Sequence, residues 1–172
     1  MKNKIKKRLA DSVYAYDDLS LPEAIGKILT RKKKTLSVAE SCTGGLLAAQ
    51  MTRFPGASEY FKGGMTVYSN EQKELLGIPK PLVTAKGAVS REVAVKLAEK
   101  MRDYAKTTYS LGVTGIAGPA GGSKRKPVGL VYIGMATPKG SKGWKHIFWG
   151  DRVQVQIKAA RKALEYLWRE IR

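Results

Sequence analysis

Residues 35–51 read TLSVAESCTGGLLAAQM, and this stretch decides the fold. The apolar run that ends at Ala39 predicts a short buried strand, and the apolar run after Gly45 predicts a helix. Ser41 therefore falls where a strand gives way to a helix. Backbone N–H groups are unpaired at a helix start, and the glycines let that backbone approach a ligand closely. Two interpretations follow: a ligand-binding turn, or a plain helix cap supplied by Ser41 or Thr43.

Strand-like and helix-like segments alternate along the rest of the chain. This order predicts an α/β fold, a single layered α/β/α domain with a mixed sheet, over residues 21–172. Further strands are predicted at residues 64–68, 109–113, 128–136 and 144–149, with the last two forming a hairpin. Helices are predicted at residues 24–29, after Ser69, after Ser90 and at residues 152–171. Residues 1–20 are interpreted as a basic N-terminal extension, with a short amphipathic helix that carries Ile5, Leu9, Val13 and Tyr16.

Cysteine content, histidine content and hydropathy exclude several classes of protein. Cys42 is the only cysteine, so no disulfide can form within the chain, and with the single His146 it is too few for a Cys/His zinc site. We therefore expect no metal ion and no cofactor. No apolar run is long enough to span a bilayer, and the basic N-terminus lacks the apolar core of a secretory signal. The expected location is the cytoplasm, with no membrane partner.

The 172-residue chain is strongly basic, with a formal net charge of +18. Such a charge is typical of nucleic-acid-binding proteins, but also of proteins that attract phosphorylated substrates. The basic residues are dispersed rather than gathered on one ribbon with aromatic residues, since they recur at residues 4–8, 31–34, 124–126, 139–145 and along the last helix. We therefore expect only weak and non-specific binding of nucleic acid.

Six short motifs stand in a defined order: AESCTGG at 39–45, GMTVYSNEQK at 64–73, GAVS at 87–90, TGIAGP at 114–119, KPVG at 126–129 and GDR at 150–152. Together they resemble the C-terminal domain of the CinA family, from about Leu21 to the last helix. In bacteria this domain also exists alone as a nicotinamide-nucleotide amidase. The resemblance implies a deamidase that converts nicotinamide mononucleotide and water to nicotinate mononucleotide and ammonia in pyridine-nucleotide salvage. It also implies a Ser/Lys mechanism instead of a Ser-His-Asp triad.

Ser41 and Lys73 are the candidate catalytic pair. The serine hydroxyl must lose its proton as it attacks, so it needs a base. His146 lies in a predicted exposed strand and is interpreted as an ordinary surface residue. Lys73 is predicted early in a helix, where the helix dipole lowers its pKa, although most lysines of this chain must simply be solvated. The resemblance implies the catalytic role, because Lys73 occupies the lysine of the family's Tyr-Ser-Asn-x-x-Lys pattern.

Other candidate residues flank this pair. Gly44 and Gly45 bring backbone amides close to the nucleophile and are candidate oxyanion donors. Tyr68, as a catalytic residue, and Asn70, as a substrate-binding residue, flank the candidate base and could orient it or the substrate amide. The alternatives for these two side chains are strand packing and helix capping.

The remaining candidates for substrate binding are Thr43, Thr114, Gly115, Gly118 and Arg152. The segment that begins at Thr114 follows a strand and could hold a ribose or a phosphate with backbone N–H groups, or be a tight structural loop. Arg152 opens the last helix and could bind phosphate with two hydrogen bonds, or pair with a carboxylate such as Glu40. Where the family usually has a second arginine, one turn after Arg152, this chain has Gln156.

Three hypotheses follow. The first is an amidohydrolase that acts on a small nucleotide and forms a homo-oligomer. The second is a nucleotide-binding module without catalytic activity, which works through a partner. The third is a basic nucleic-acid-associated protein of the competence and damage responses. The intact Ser41 and Lys73 favour the first, and the dispersed charge disfavours the third.

Overall fold

The computed structural model describes residues 19–172, and the helix predicted within residues 1–18 lies outside the described residues. In chain order, the elements are α1 (Leu21–Arg31), β1 (Leu36–Glu40), α2 (Leu46–Met51), α3 (Ala57–Tyr60), β2 (Phe61–Thr66), α4 (Asn70–Leu75), α5 (Lys80–Lys86), α6 (Arg91–Ala105), β3 (Tyr109–Gly115), β4 (Leu130–Thr137), β5 (Gly140–Ile147) and α7 (Arg152–Ile171). No helix within residues 19–172 is long and apolar enough to cross a membrane.

The strands form one mixed sheet in the order β2-β1-β3-β4-β5. β1 lies between β2 and β3 and is parallel to both. β4 pairs antiparallel with β3, and β5 returns beside β4 through a tight hairpin between Thr137 and Gly140. The predicted mixed sheet is thereby confirmed. From β1 the chain continues to β2 at one edge of the sheet, whereas from β3 it continues to β4, towards the opposite edge. A topological switch point therefore lies between β1 and β3.

Helices cover both faces of the sheet, as the α/β/α prediction requires. On one face, α1, α2 and α7 enclose a core that includes Ile25, Leu47 and Leu164. On the other face, α4, α5 and α6 enclose a second cluster around Leu97. The backbone of α6 lies directly on the sheet, because a Cβ at position 112 or 134 would come within 2.3 Å of the Ala94 carbonyl oxygen. Only glycine fits at these two strand positions.

Several elements differ from their sequence-based prediction, among them β5, which spans Gly140–Ile147 and not 144–149. β2 begins at Phe61 and ends at Thr66, which is earlier than predicted. The strand ends because the next two carbonyl groups accept hydrogen bonds from the Lys73 amine and not from a neighbouring strand. α5 was not predicted from the sequence, and its first turn contains Pro81. Proline is accepted in the first turn of a helix, but it masks the helical pattern in the sequence.

Candidate active site

The candidate residues meet at the carboxyl ends of the three parallel strands. Ser41 directly follows β1, and the segment that leads to Lys73 follows β2. The third contribution is the loop after β3, which contains Gly118. In open α/β sheets this edge, beside a topological switch point, is where ligands bind. The first turn of α7 completes the site, since Arg152 reaches both the loop after β3 and the segment after β2.

Lys73 is a buried lysine in contact with the candidate nucleophile. Its side chain is 2% exposed, and its Nζ atom lies 3.3 Å from Ser41 Oγ. The amine also donates to the carbonyl oxygens of Val67 and Tyr68, both at 2.9 Å, and of Ser69 at 3.3 Å. Burial lowers the pKa of Lys73 from its ordinary value of 10.5. No carboxylate within residues 19–172 forms an ion pair with this amine, and the charge of Glu71 raises the pKa of Lys73 less than burial lowers it.

α4 places this lysine where the sequence predicted it. Ser69 is the N-cap of α4, and its hydroxyl accepts a hydrogen bond from the Gln72 backbone N–H at 3.2 Å. The cap fixes the first turn, and Lys73 follows on the side that faces the sheet. Because the side chain folds back over its own N-terminal turn, the amine meets the carbonyl groups that precede the helix.

Glu40 holds the turn that carries Ser41. It is buried at the end of β1, and its carboxylate accepts hydrogen bonds from the backbone N–H groups of Gly45 (3.2 Å), Leu47 (3.0 Å) and Ala48 (2.8 Å). The start of α2 is therefore capped by a carboxylate from the preceding strand, and neither Ser41 nor Thr43 caps it with a side chain. The suggested Arg152–Glu40 pair does not form, because the glutamate is fully engaged with α2.

Hydrogen bonds within this turn occupy the two predicted oxyanion donors. The Gly45 N–H donates to Glu40, and the Gly44 N–H donates to the Ser41 carbonyl at 3.1 Å. Both predicted amides are thus occupied within the protein, although both glycines have the positive φ values that the turn requires (+64° and +100°). The Thr43 N–H, in contrast, has no hydrogen-bond partner within residues 19–172. The buried Thr43 Oγ1 atom also lacks one there.

Cys42 is the other nucleophilic side chain of this turn. It is 4% exposed and packs into the core beneath α2 and α7. Burial raises the pKa of this thiol to about 12. The thiol is therefore protonated at neutral pH, and a protonated thiol is a poor nucleophile. Of the adjacent side chains of Ser41, Cys42 and Thr43, only that of Ser41 forms a hydrogen bond with Lys73, the candidate base.

Arg152 joins two of the converging segments. Its Nη1 donates to the Gly118 carbonyl at 2.9 Å, and its Nη2 donates to the Tyr68 hydroxyl at 2.7 Å. Both acceptors are neutral, and no carboxylate of the described segment pairs with this guanidinium. Its charge is therefore available to an anionic ligand. Because the tyrosine oxygen accepts from the arginine, the tyrosine keeps its own hydroxyl proton for another acceptor.

Three predicted binding residues are placed differently. The Thr114 hydroxyl is buried and donates to the Ala88 carbonyl at 2.9 Å, so it ties the end of β3 to the segment before α6. Gly115 is required by packing, since a Cβ there would lie 2.7 Å from the Leu130 carbonyl oxygen. Asn70 is exposed at the start of α4, with no side-chain hydrogen bond to another described residue.

His146 lies outside this site, as expected. Its ring is half-buried on β5, and Nε2 lies 2.8 Å from the Tyr166 hydroxyl of α7. Within residues 19–172, no group of three or more His, Cys, Asp or Glu side chains could hold a metal ion. A cavity of about 410 Å³ lies between α1 and the turn before α3, beside Phe54 and Tyr60. It includes none of the candidate residues.

Gln156 is a site residue that the sequence reasoning did not assign. Its side-chain amide donates to the Cys42 carbonyl at 2.8 Å. The signal was present in the sequence, because residue 156 is one helical turn after Arg152 and shares its face of α7. Glu40 was likewise present in the motif, but its three backbone partners depend on the strand-to-helix geometry.

These features define an α/β protein with a buried Ser–Lys pair at the carboxyl edge of its parallel strands. Residues 18–171 match the CinA C-terminal domain, and the chain belongs to this family. A relative from Moorella thermoacetica, named for competence-damage induction, is 46% identical over 169 residues, which cover 98% of this chain and 41% of that protein. A CinA-like protein from Koribacter versatilis is 44% identical over 97% of this chain and 41% of its own length. The chain thus spans about two fifths of the curated relatives it matches.

Solved structures show the same fold. The competence/damage inducible protein CihA from Agrobacterium tumefaciens has a TM-score of 0.83 and 35% sequence identity, and the match covers 86% of this chain and 91% of that one. The competence damage-inducible protein A of Klebsiella pneumoniae has a TM-score of 0.84 and 28% identity, over 87% and 94% of the two chains. The fold predicted from the sequence is confirmed by these relatives.

Proposed function

We propose that this chain is an amidohydrolase that deamidates nicotinamide mononucleotide by a Ser/Lys mechanism. The observation that carries the proposal is the contact between Ser41 and a buried lysine whose pKa is lowered. A lysine held only for its charge would be solvated or paired with a carboxylate. A lysine that acts as a base must be neutral, and burial favours the neutral form. The choice of nucleotide comes from the family resemblance.

Three carbonyl oxygens surround the amine and match the three N–H groups of its protonated form, while burial favours loss of one proton, which frees a lone pair for Ser41. A neutral amine has two N–H groups and one lone pair. The two shortest contacts, to the Val67 and Tyr68 carbonyls, would take both N–H groups. The lone pair is then left to accept the Ser41 hydroxyl proton across 3.3 Å. In the reactive complex this distance should shorten, since catalytic hydrogen bonds often tighten when the substrate binds.

The proposed reaction has two stages, formation of an ester to Ser41 and hydrolysis of that ester. Ser41 Oγ bonds to the carboxamide carbon as its proton passes to Lys73 Nζ. The tetrahedral intermediate collapses, the C–N bond breaks, and the lysine proton leaves with ammonia, so that an ester to Ser41 remains. A water molecule then attacks this ester and gives its proton to the same amine. That proton returns to Ser41 Oγ, and the free nicotinate nucleotide is released.

Other residues are proposed to bind the substrate and to stabilise the negative charge that develops on its carbonyl oxygen. The unpartnered Thr43 N–H and the Thr43 hydroxyl lie in the turn next to the nucleophile and are proposed to bind the substrate carbonyl oxygen. Arg152 is proposed to bind the phosphate, and the Tyr68 hydroxyl to donate a hydrogen bond to the substrate. We further propose that the reaction takes place in the cytoplasm without a metal or cofactor. The homo-oligomer stays a prediction.

Ammonia release from nicotinamide mononucleotide by the purified protein tests the proposal. Ser41→Ala should lower kcat by several orders of magnitude, because the nucleophile is lost. The matched control is Ser58→Ala, since Ser58 is an exposed residue of α3 whose hydroxyl forms no hydrogen bond with another described residue. Near-normal activity of Ser41→Ala would refute the assignment. Nucleotide binding by the wild-type protein without ammonia release would instead support the non-catalytic binding module.

A further inference from the structure

Gln156 is the contact between α7 and the turn of the nucleophile. Its Nε2 atom donates to the Cys42 carbonyl oxygen at 2.8 Å. The amide lies against the turn itself, since it is 3.9 Å from the position that a Cβ on Gly44 would take. Arg152, one turn earlier on the same helix, holds the other two segments of the site. α7 therefore contacts all three converging segments through two side chains.

The bond to Cys42 fixes an orientation and not only a position. In a trans peptide the C=O and the following N–H point in opposite directions across one rigid plane. A donor that holds the Cys42 carbonyl therefore also fixes the direction of the Thr43 N–H. Within residues 19–172 this peptide has no other hydrogen bond, because the Cys42 carbonyl accepts only from Gln156 and the Thr43 N–H donates to no group.

The neighbouring groups do not replace this restraint. The Ser41 N–H is held by the Val113 carbonyl at 2.9 Å, and the start of α2 is held by Glu40. These bonds anchor both ends of the turn. The 42–43 peptide is the central peptide of the turn that the Gly44 N–H closes on the Ser41 carbonyl, and a central turn peptide can take two opposite orientations. The hydrogen bond from Gln156 is the one that acts on this peptide plane directly.

We propose that Gln156 is a positioning residue, which orients the Thr43 N–H towards the substrate carbonyl oxygen; this inference rests on the proposed amidase function. Glutamine provides a donor without adding a charge to the face of α7 that carries Arg152. The Thr43 N–H would be used mainly in the transition state, when negative charge develops on the substrate oxygen. Loss of the orientation should therefore act on kcat more than on KM.

The test compares Gln156→Met and Gln156→Glu with Gln50→Met. Methionine has a similar length but no donor, and glutamate keeps the shape while it places a carboxylate oxygen against the Cys42 carbonyl. The control, Gln50, is a half-buried glutamine of α2 whose side chain bonds to no other described residue. The measurements are kcat and KM for nicotinamide mononucleotide, together with the melting temperature of each variant.

We expect both Gln156 variants to lose roughly 10- to 100-fold in kcat, with KM within about twofold of wild type and the control unchanged. A kcat within about twofold of wild type in either variant would overturn the inference and leave the amidase intact. A loss that follows a fall in melting temperature in Gln156→Met, but is absent in the isosteric Gln156→Glu, would also overturn it, because packing would then explain the effect. An inactive wild-type protein would refute the amidase proposal itself, and the inference with it.

Discussion

Replacement of Lys73 tests the proposed base most directly, because the structure distinguishes the expected effect on stability from the expected effect on catalysis. In Lys73→Met the side chain keeps a similar length and loses the amine. Three carbonyl groups lose a donor, those of Val67 and Tyr68 at 2.9 Å and that of Ser69 at 3.3 Å. Only the first of these belongs to a fully buried residue, so the cost to stability should be about 1–3 kcal/mol, the penalty for one unsatisfied buried group. A domain of this size has about 5–15 kcal/mol of stability and should remain folded.

The catalytic loss should be much larger than this. A positioned general base contributes about 10²- to 10⁴-fold to the rate. We therefore expect kcat of Lys73→Met to fall by at least that factor while the protein still melts cooperatively. Lys73→Arg should be equally inactive although it keeps the positive charge, because a guanidinium is not deprotonated in proteins.

The assay is ammonia release, with thermal unfolding measured on the same samples. Lys100→Met is the matched control, since this lysine of α6 is outside the site. Retained activity in Lys73→Arg would refute the base role and would show that Lys73 contributes only a positive charge. Full loss of cooperative unfolding in Lys73→Met would contradict the estimate that one buried carbonyl dominates the cost.

Three further predictions follow from the same site. Because Lys73 acts as a base only when neutral, kcat/KM should be high above the pKa of Lys73 and should be lost as the pH falls through it. Burial lowers this pKa, so the loss should be centred below 10.5. A profile centred at or above 10.5 would contradict a lowered pKa. Activity should survive a chelator, because no metal takes part in the proposed steps; reversible loss restored by a divalent ion would show otherwise. Arg152→Ala should weaken nucleotide binding much more than DNA binding, and DNA binding should fall steeply between low and physiological salt; sequence-specific binding at physiological salt would revive the nucleic-acid hypothesis.

Local signals in the sequence were enough for several elements. The predicted last helix at 152–171 has the bounds that the structure gives, because Asp151 and Gln154 form a capping box and the apolar positions follow the helical period. The strand–turn–helix around Ser41 was readable for the same reason. Each of these features depends on hydrogen bonds and periodicity between residues a few positions apart. Such local interactions can be predicted from the sequence alone.

Tertiary structure decided what those residues can do. The contact between Ser41 and Lys73 spans 32 positions, and the contact between Cys42 and Gln156 spans 114. The lowered pKa of Lys73 depends on how completely the surrounding elements exclude water, and no local pattern records that. The occupation of the Gly44 and Gly45 amides was equally hidden, since it depends on where the Glu40 carboxylate points once the strand is buried. A sequence shows which groups are available, but desolvation and hydrogen-bond competition are properties of the packed chain.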